Sequence, residues 1–152
     1  VYVGIDWSEE HRCVRLEARK RDQGWTYLAP LCSPPWVTKQ DMFDALQVEG
    51  IEVPRLYKLG FSHNNCGGFC IRAGHGHFAN LLKQIPERYA YHEAMEQEFR
   101  EYLGKSVSIL TDTRGGTKKP LTLQQFRIRV ESGGQVDMFD VGGCGCFLDD
   151  AA

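Results

Sequence analysis

Val1-Tyr2-Val3-Gly4-Ile5 is a short apolar run that stops at Asp6-Trp7-Ser8. Three β-branched residues in five positions predict a buried strand, and the polar break predicts a functional loop at its end. The chain then turns basic through Arg12, Arg15, Arg19, Lys20 and Arg21. Val14 and Leu16 are too sparse to mark a long helical stripe, so this stretch reads as a short helix. Gly24 precedes a second strand candidate, Trp25-Thr26-Tyr27-Leu28-Ala29, which Pro30 ends and Pro34-Pro35 keeps from resuming. Strand, basic helix and strand in that order give an α/β reading.

Downstream, helices predominate. Thr38 offers an N-cap oxygen with Asp41 three residues later, and Met42, Phe43 and Leu46 repeat at helical spacing until Gly50. Leu56, Tyr57, Leu59 and Phe61 lead into the glycine- and cysteine-rich stretch 63–70, after which a helix is expected from about Cys70 to Lys83. Pro86 opens a longer one, with Tyr89, His92, Met95, Phe99 and Tyr102 on a 3–4 spacing and Gly104 at its end. Val107–Leu110 reads as a strand and 112–120 as a glycine-rich, hairpin-like loop. Thr122 with Gln125 forms a capping box that opens a last helix to about Glu131.

Composition bounds the function. The 152 residues suit one domain with one sizeable core, and 42% hydrophobic with 25% charged residues is ordinary for a folded chain. Eighteen Lys+Arg against 20 Asp+Glu leave a net charge of −2, so no general nucleic-acid or membrane binding is implied and phosphate recognition must be local. The first residues lack the layout of a secretion signal and no apolar run is long enough for a bilayer, which points to a cytoplasmic protein. A chain that opens on Val1, inside a strand-like run, reads as a fragment or processed piece.

The strongest chemical pattern is Cys66-x3-Cys70 with Cys144-x-Cys146, two close pairs each set in glycine. Four thiolates can enclose a zinc ion at about 2.3 Å or hold an iron–sulfur cluster, and glycines let backbone amides approach the sulfurs. The bland alternatives are free thiols or a redox disulfide. His63, His75 and His77 lie near the first pair, but i and i+2 on a helix point apart, so His75 and His77 read as a solvated pair. Cys13 and Cys32 show no such partners and read as small core or surface residues. Gly115-Gly116-Thr117-Lys118-Lys119 has a phosphate cradle's composition without its spacing.

Gly4-Ile-Asp-Trp-Ser-Glu9-Glu-His-Arg12 resembles the G-x-R-x-x-E-S-x-x-R stretch of the phosphoadenosine phosphosulfate (PAPS) reductase family. Ala29-Pro-Leu31, Trp36, Asp41, Leu46, Gly50-Ile51, Pro54, Leu56-Tyr57 and Gly60-Phe61 follow in the order of that family's P-L…W…D-V…L…G-I…P-L-Y…G-F run. Cys66 and Cys70 fall where its iron–sulfur members carry their later cysteine pair. The likeness covers about residues 1–70. It implies the carboxy-terminal half of a PP-loop (adenine nucleotide α-hydrolase-like) protein of phage or bacterial type. Residues 1–61 would be the end of a Rossmann-like α/β/α (HUP-type) domain, and 62–152 a helical, cysteine-rich metal-binding region packed on it as one structural unit.

The implied function is sulfur transfer or adenylation of a nucleotide or small molecule, using ATP or an adenylyl nucleotide. The implied site is Glu9 and Arg12, with Arg12 on phosphate or sulfate oxygens and Glu9 orienting it. Cys66, Cys70, Cys144 and Cys146 would hold a 4Fe–4S cluster or zinc. The family's S-G-G-x-D-S loop and its E-C-G-L/I-H motif do not occur in these 152 residues, which points to a missing amino-terminal half or a partner chain and to a different substrate. Asp6, Glu10 and Cys13 stand where the family has arginine, serine and arginine, and Arg12 sits one position early. A non-catalytic, metal-stabilised binding module is the alternative.

Overall fold

The computed structural model describes residues 1–20, 24–114, 116–137, 140 and 142. They form a mixed α/β chain that divides into two compact units, one built on Val1–Val53 and the other on Pro54–Cys144.

In the first unit, Asp6 accepts a bond from the Ser8 amide (2.8 Å) and so caps a 3-10 turn over Trp7–Glu9, which runs directly into α1, Glu10–Lys20. The caps of such turns supply partners for amides that no helical carbonyl can reach. Ile5, Cys13 and Leu16 are the buried apolar residues described in this unit. The two expected strands meet through a single parallel bridge between Tyr2 and Leu28, made by Val3 N to Leu28 O (2.9 Å) and Leu28 N to Val1 O (2.8 Å). A ladder does not extend from it: Pro30 starts a second 3-10 turn, Pro30–Cys32, and a two-stranded pair is marginal without further strands to cover its faces. Helix α2, Lys39–Val48, carries the expected capping box, with Asp41 N on Thr38 Oγ1 (3.1 Å) and Thr38 N on Asp41 Oδ2 (2.8 Å). Those bonds from Thr38 hold the Asp41 carboxyl below its ordinary pKa.

The second unit holds a larger core. The short helix α3 (Arg55–Lys58), α4 (His75–Gln84), α5 (Pro86–Leu103), the strands β1 (Leu110–Asp112) and β2 (Lys119–Leu121), and α6 (Leu123–Glu131) enclose Leu56, Phe61, Phe78, Leu81, Tyr89, Leu121 and Phe126. β1 and β2 pair antiparallel, Leu110 opposite Leu121, around the expected hairpin loop. The strand lies later than the expected 107–110 because side chains take the earlier backbone groups. Val107 O accepts from Arg100 and Ile109 N donates to Glu96 (2.8 Å), while Ser108 Oγ bonds the strand groups Leu110 O (2.6 Å) and Leu121 N (3.0 Å).

The long helix also turns a different face inward from the one its apolar spacing suggests. Tyr89 and Glu96 are buried, whereas Met95, Phe99 and Tyr102 are exposed. Glu96 is retained inside because its two oxygens accept from Ile109 N and from Leu123 N (2.6 Å), the first amide of α6. Buried carboxylates persist only where such donors replace water. Tyr89 likewise donates to Leu123 O (2.7 Å), and burial pushes its phenol above the ordinary range. Among the described residues, no helix is long and apolar enough to cross a membrane.

Candidate functional site

The residues singled out by sequence fall in both units. In the first, the 3-10 turn and α1 put Glu9 and Arg12 three residues apart on one helical edge, and Arg12 Nη1 donates to Glu9 Oε1 at 2.6 Å. The Arg12 side chain is only 11% exposed against 40% for Glu9, so the guanidinium is held in and its carboxylate partner faces outward. Charge-assisted bonds of this length fix orientation as well as charge. Beside them Trp7 donates its indole N–H to Val37 O (3.1 Å) and packs edge-on against Trp36, with centroids 6.4 Å apart. Both indoles are about half exposed.

The sequence gives no sign of what lies beneath. Cys13, expected to lack a thiol partner, has its sulfur 3.6 Å from that of Cys32, and Cys32 Sγ donates to Ile5 O (3.2 Å). The pair is separated by 19 positions and follows no ligand spacing, so only the fold brings it together. Burial, followed by the bond to Cys32, pushes the Cys13 thiol up to about 11.

In the second unit, Cys66 opens a 3-10 turn, Cys66–Gly68, and Cys70 follows it before α4. That helix starts at His75 instead of Cys70, because Gly74 is extended and takes the N-cap; upstream, Cys66, Gly67 and Gly68 all have positive φ (54°, 59° and 86°). A non-glycine residue in this region is strained and needs its surroundings to hold it. Helix α5 does so: Arg88 donates to Cys66 O (3.2 Å) and the His92 ring stacks on Phe69 with centroids 3.4 Å apart. A Cβ on Gly67 would meet the Arg88 guanidinium carbon at 2.7 Å. Cys66 is exposed and Cys70 buried.

His75 and His77 do point apart, but they are not a solvated pair. His77 is 4% exposed and donates from Nε2 to Gly68 O (2.9 Å), and burial lowers its pKa. Half-buried His75 donates to Thr111 O (3.0 Å). The ring of His63 stacks on that of His77, with centroids 5.7 Å apart.

Cys144 and Cys146 lie outside the described residues. Among those described, no three His, Cys, Asp or Glu side chains are grouped to hold a metal ion. Of the four cysteines expected to share a metal, Cys66 and Cys70 are described, and both are free. The chain approaching Cys144 is nonetheless placed: Gly142 (φ 70°) forms an antiparallel bridge with Ala73, three residues after Cys70, and a Cβ there would meet Gly74 N at 2.3 Å. Asp140 secures the same segment, accepting from His75 N through its carboxylate (3.1 Å) and from Gly76 N through its carbonyl (2.7 Å). A cavity of about 300 Å³ opens there, lined by Arg72, Thr111 and Lys118 among others. Asp140 already occupies the amides that would otherwise receive an anion.

Compared with protein-family models, curated proteins and solved structures, the chain matches none.

Proposed function

We propose that this chain is the carboxy-terminal part of a PAPS reductase-like PP-loop protein, Rossmann-like in its first unit, acting in sulfur transfer or adenylation of a nucleotide or small molecule. The observation that carries the reading is the Glu9–Arg12 pair, ordered at 2.6 Å just past the parallel-bridged segment Val1–Ile5. In open α/β sheets ligands bind beyond the carboxyl ends of strands, and a planar guanidinium suits phosphate or sulfate oxygens. Glu9 would orient Arg12, and Arg12 would hold the anionic end of an adenine nucleotide. ATP chemistry would need the S-G-G-x-D-S loop from a preceding half or a partner chain.

Cys66 and Cys70 fit two positions of a four-cysteine centre completed by Cys144 and Cys146, and the Gly142–Ala73 bridge supports that convergence. Zinc or a 4Fe–4S cluster, when bound, would supply ligation energy that closes a loop of more than 70 residues.

Calorimetric titration of the full chain with adenosine 3′,5′-bisphosphate tests the site. Binding is expected to be weak and to fall about tenfold or more in Arg12→Ala, the worth of a lost charged hydrogen bond. Equal binding by both proteins would overturn the assignment of Arg12.

A second reading, a metal-stabilised binding module without catalysis, is favoured by the lack of the S-G-G-x-D-S loop in these 152 residues. Metal content that sets thermal stability, together with no nucleotide binding, would select it.

A further inference from the structure

We infer that Cys13 and Cys32 form a reversible dithiol–disulfide switch inside the first unit. The inference does not depend on the nucleotide reading. The two sulfurs lie 3.6 Å apart on different elements, Cys13 on α1 and Cys32 at the end of the Pro30–Cys32 turn. Both are free thiols here. A disulfide needs about 2.05 Å between sulfurs, so a shift of about 1.5 Å closes the bond.

The hydrogen bonds order the protons. Cys32 gives its S–H to Ile5 O (3.2 Å), which leaves Cys13 as the donor in the sulfur–sulfur contact. Exposure orders the chemistry. Cys32 is half-buried and Cys13 is 8% exposed, so an incoming oxidant reaches Cys32 first.

The oxidant is a small-molecule disulfide of the glutathione class. Cys32, after losing its proton to solvent, attacks one sulfur of that disulfide; the external S–S bond breaks and the first thiolate leaves and is protonated. Cys13 then loses its proton, attacks Cys32 Sγ in the mixed disulfide and expels the second thiol. Two protein thiols are oxidised and one external disulfide is reduced to two thiols. Burial holds the Cys13 thiol at about 11, which makes the second step the slower one and the mixed disulfide on Cys32 a species that accumulates.

Closure has a structural consequence. It removes the Cys32 donor from Ile5 O, at the end of the Val1–Ile5 run, and ties α1 to the turn that follows the Leu28 bridge. The reduced unit has a small described core, Ile5, Cys13 and Leu16, so a covalent tie there constrains much of what holds it.

The test is peptide mapping of the full chain under non-reducing conditions after equilibration in oxidised and reduced glutathione. A Cys13–Cys32 linked peptide is expected, reversed by dithiothreitol, with proteolysis within residues 1–53 slowed about tenfold or more by the cross-link. In Cys13→Ser the mixed disulfide should be trapped on Cys32, and in Cys32→Ser no glutathione adduct should form on Cys13. Wild-type mapping carries the test even if either variant folds poorly. The inference is overturned if Cys13 and Cys32 both stay alkylatable in oxidised glutathione, or if Cys32 links to Cys66, Cys70, Cys144 or Cys146 instead.

Discussion

The first unit carries the Glu9–Arg12 pair and the Cys13–Cys32 contact on a slight framework, whereas the second carries the core. Among the described residues, the first unit buries Ile5, Cys13 and Leu16 and leaves Tyr2, Trp25, Trp36 and Leu28 largely exposed. The second buries Phe78, Leu81, Tyr89, Leu123 and Phe126 to within 2% of full enclosure and braces them with a carboxylate and a phenol bonded to backbone. Burial scales with apolar area, so the two units should differ in stability and in how far a ligand or cross-link changes them.

The sharpest way to break the contrast is to cut into the second core. Phe78→Ala should cost about 3–5 kcal/mol and unfold that unit in chemical denaturation. Leu16→Ala in the first unit should melt only residues 1–53, as read by proteolysis. Loss of both units from either change would make them one cooperative body.

Glu96→Ala removes the acceptor of two amides, Ile109 N and Leu123 N. It should cost about 2–6 kcal/mol, since each buried donor left unsatisfied costs about 1–3 kcal/mol. Glu96→Gln, which keeps one acceptor, should recover part of this.

His77 gives a pH signature to the second unit. Burial lowers its folded pKa, so the unfolded chain takes up the proton first as pH falls. Its contribution is full above the unfolded value of about 6.5 and is lost as pH falls through the lower folded value. Stability measured from pH 7.5 to 5 should decline more in the wild type than in His77→Gln.

The smallest effect belongs to Arg12. Its side chain is held in while Glu9 faces outward, so Arg12→Lys, which keeps the charge and most of the packing, should change stability by less than about 1 kcal/mol while reducing nucleotide binding through the lost planar fork.

Local signals were the legible ones. The boxes at Thr38–Asp41 and Thr122–Gln125 and the Pro86–Gly104 limits of α5 depend on contacts within a few residues. What escaped depended on distant partners. Met95 and Phe99 share a helical stripe with Tyr89, yet the inward face is set by Glu96, whose two donors lie 13 and 27 positions away. The start of α4 moved because Gly74 is extended and Asp140, 65 positions from His75, takes the His75 and Gly76 amides. In the candidate site, Glu9 and Arg12 were readable as neighbours on one helix edge. The burial of His77 and the Cys13–Cys32 contact were not, because neither follows a spacing.

The most direct test of the account is hydrogen exchange of the full chain with and without adenosine 3′,5′-bisphosphate, resolved by peptide. Alone, residues 1–20 should exchange faster than α4, α5 and α6; with the nucleotide, the amides around Glu9 and Arg12 should slow and those of the second unit should not change. Protection that appears only in the second unit, or none in residues 1–20 at saturating nucleotide, would contradict the assignment of the site to Glu9 and Arg12.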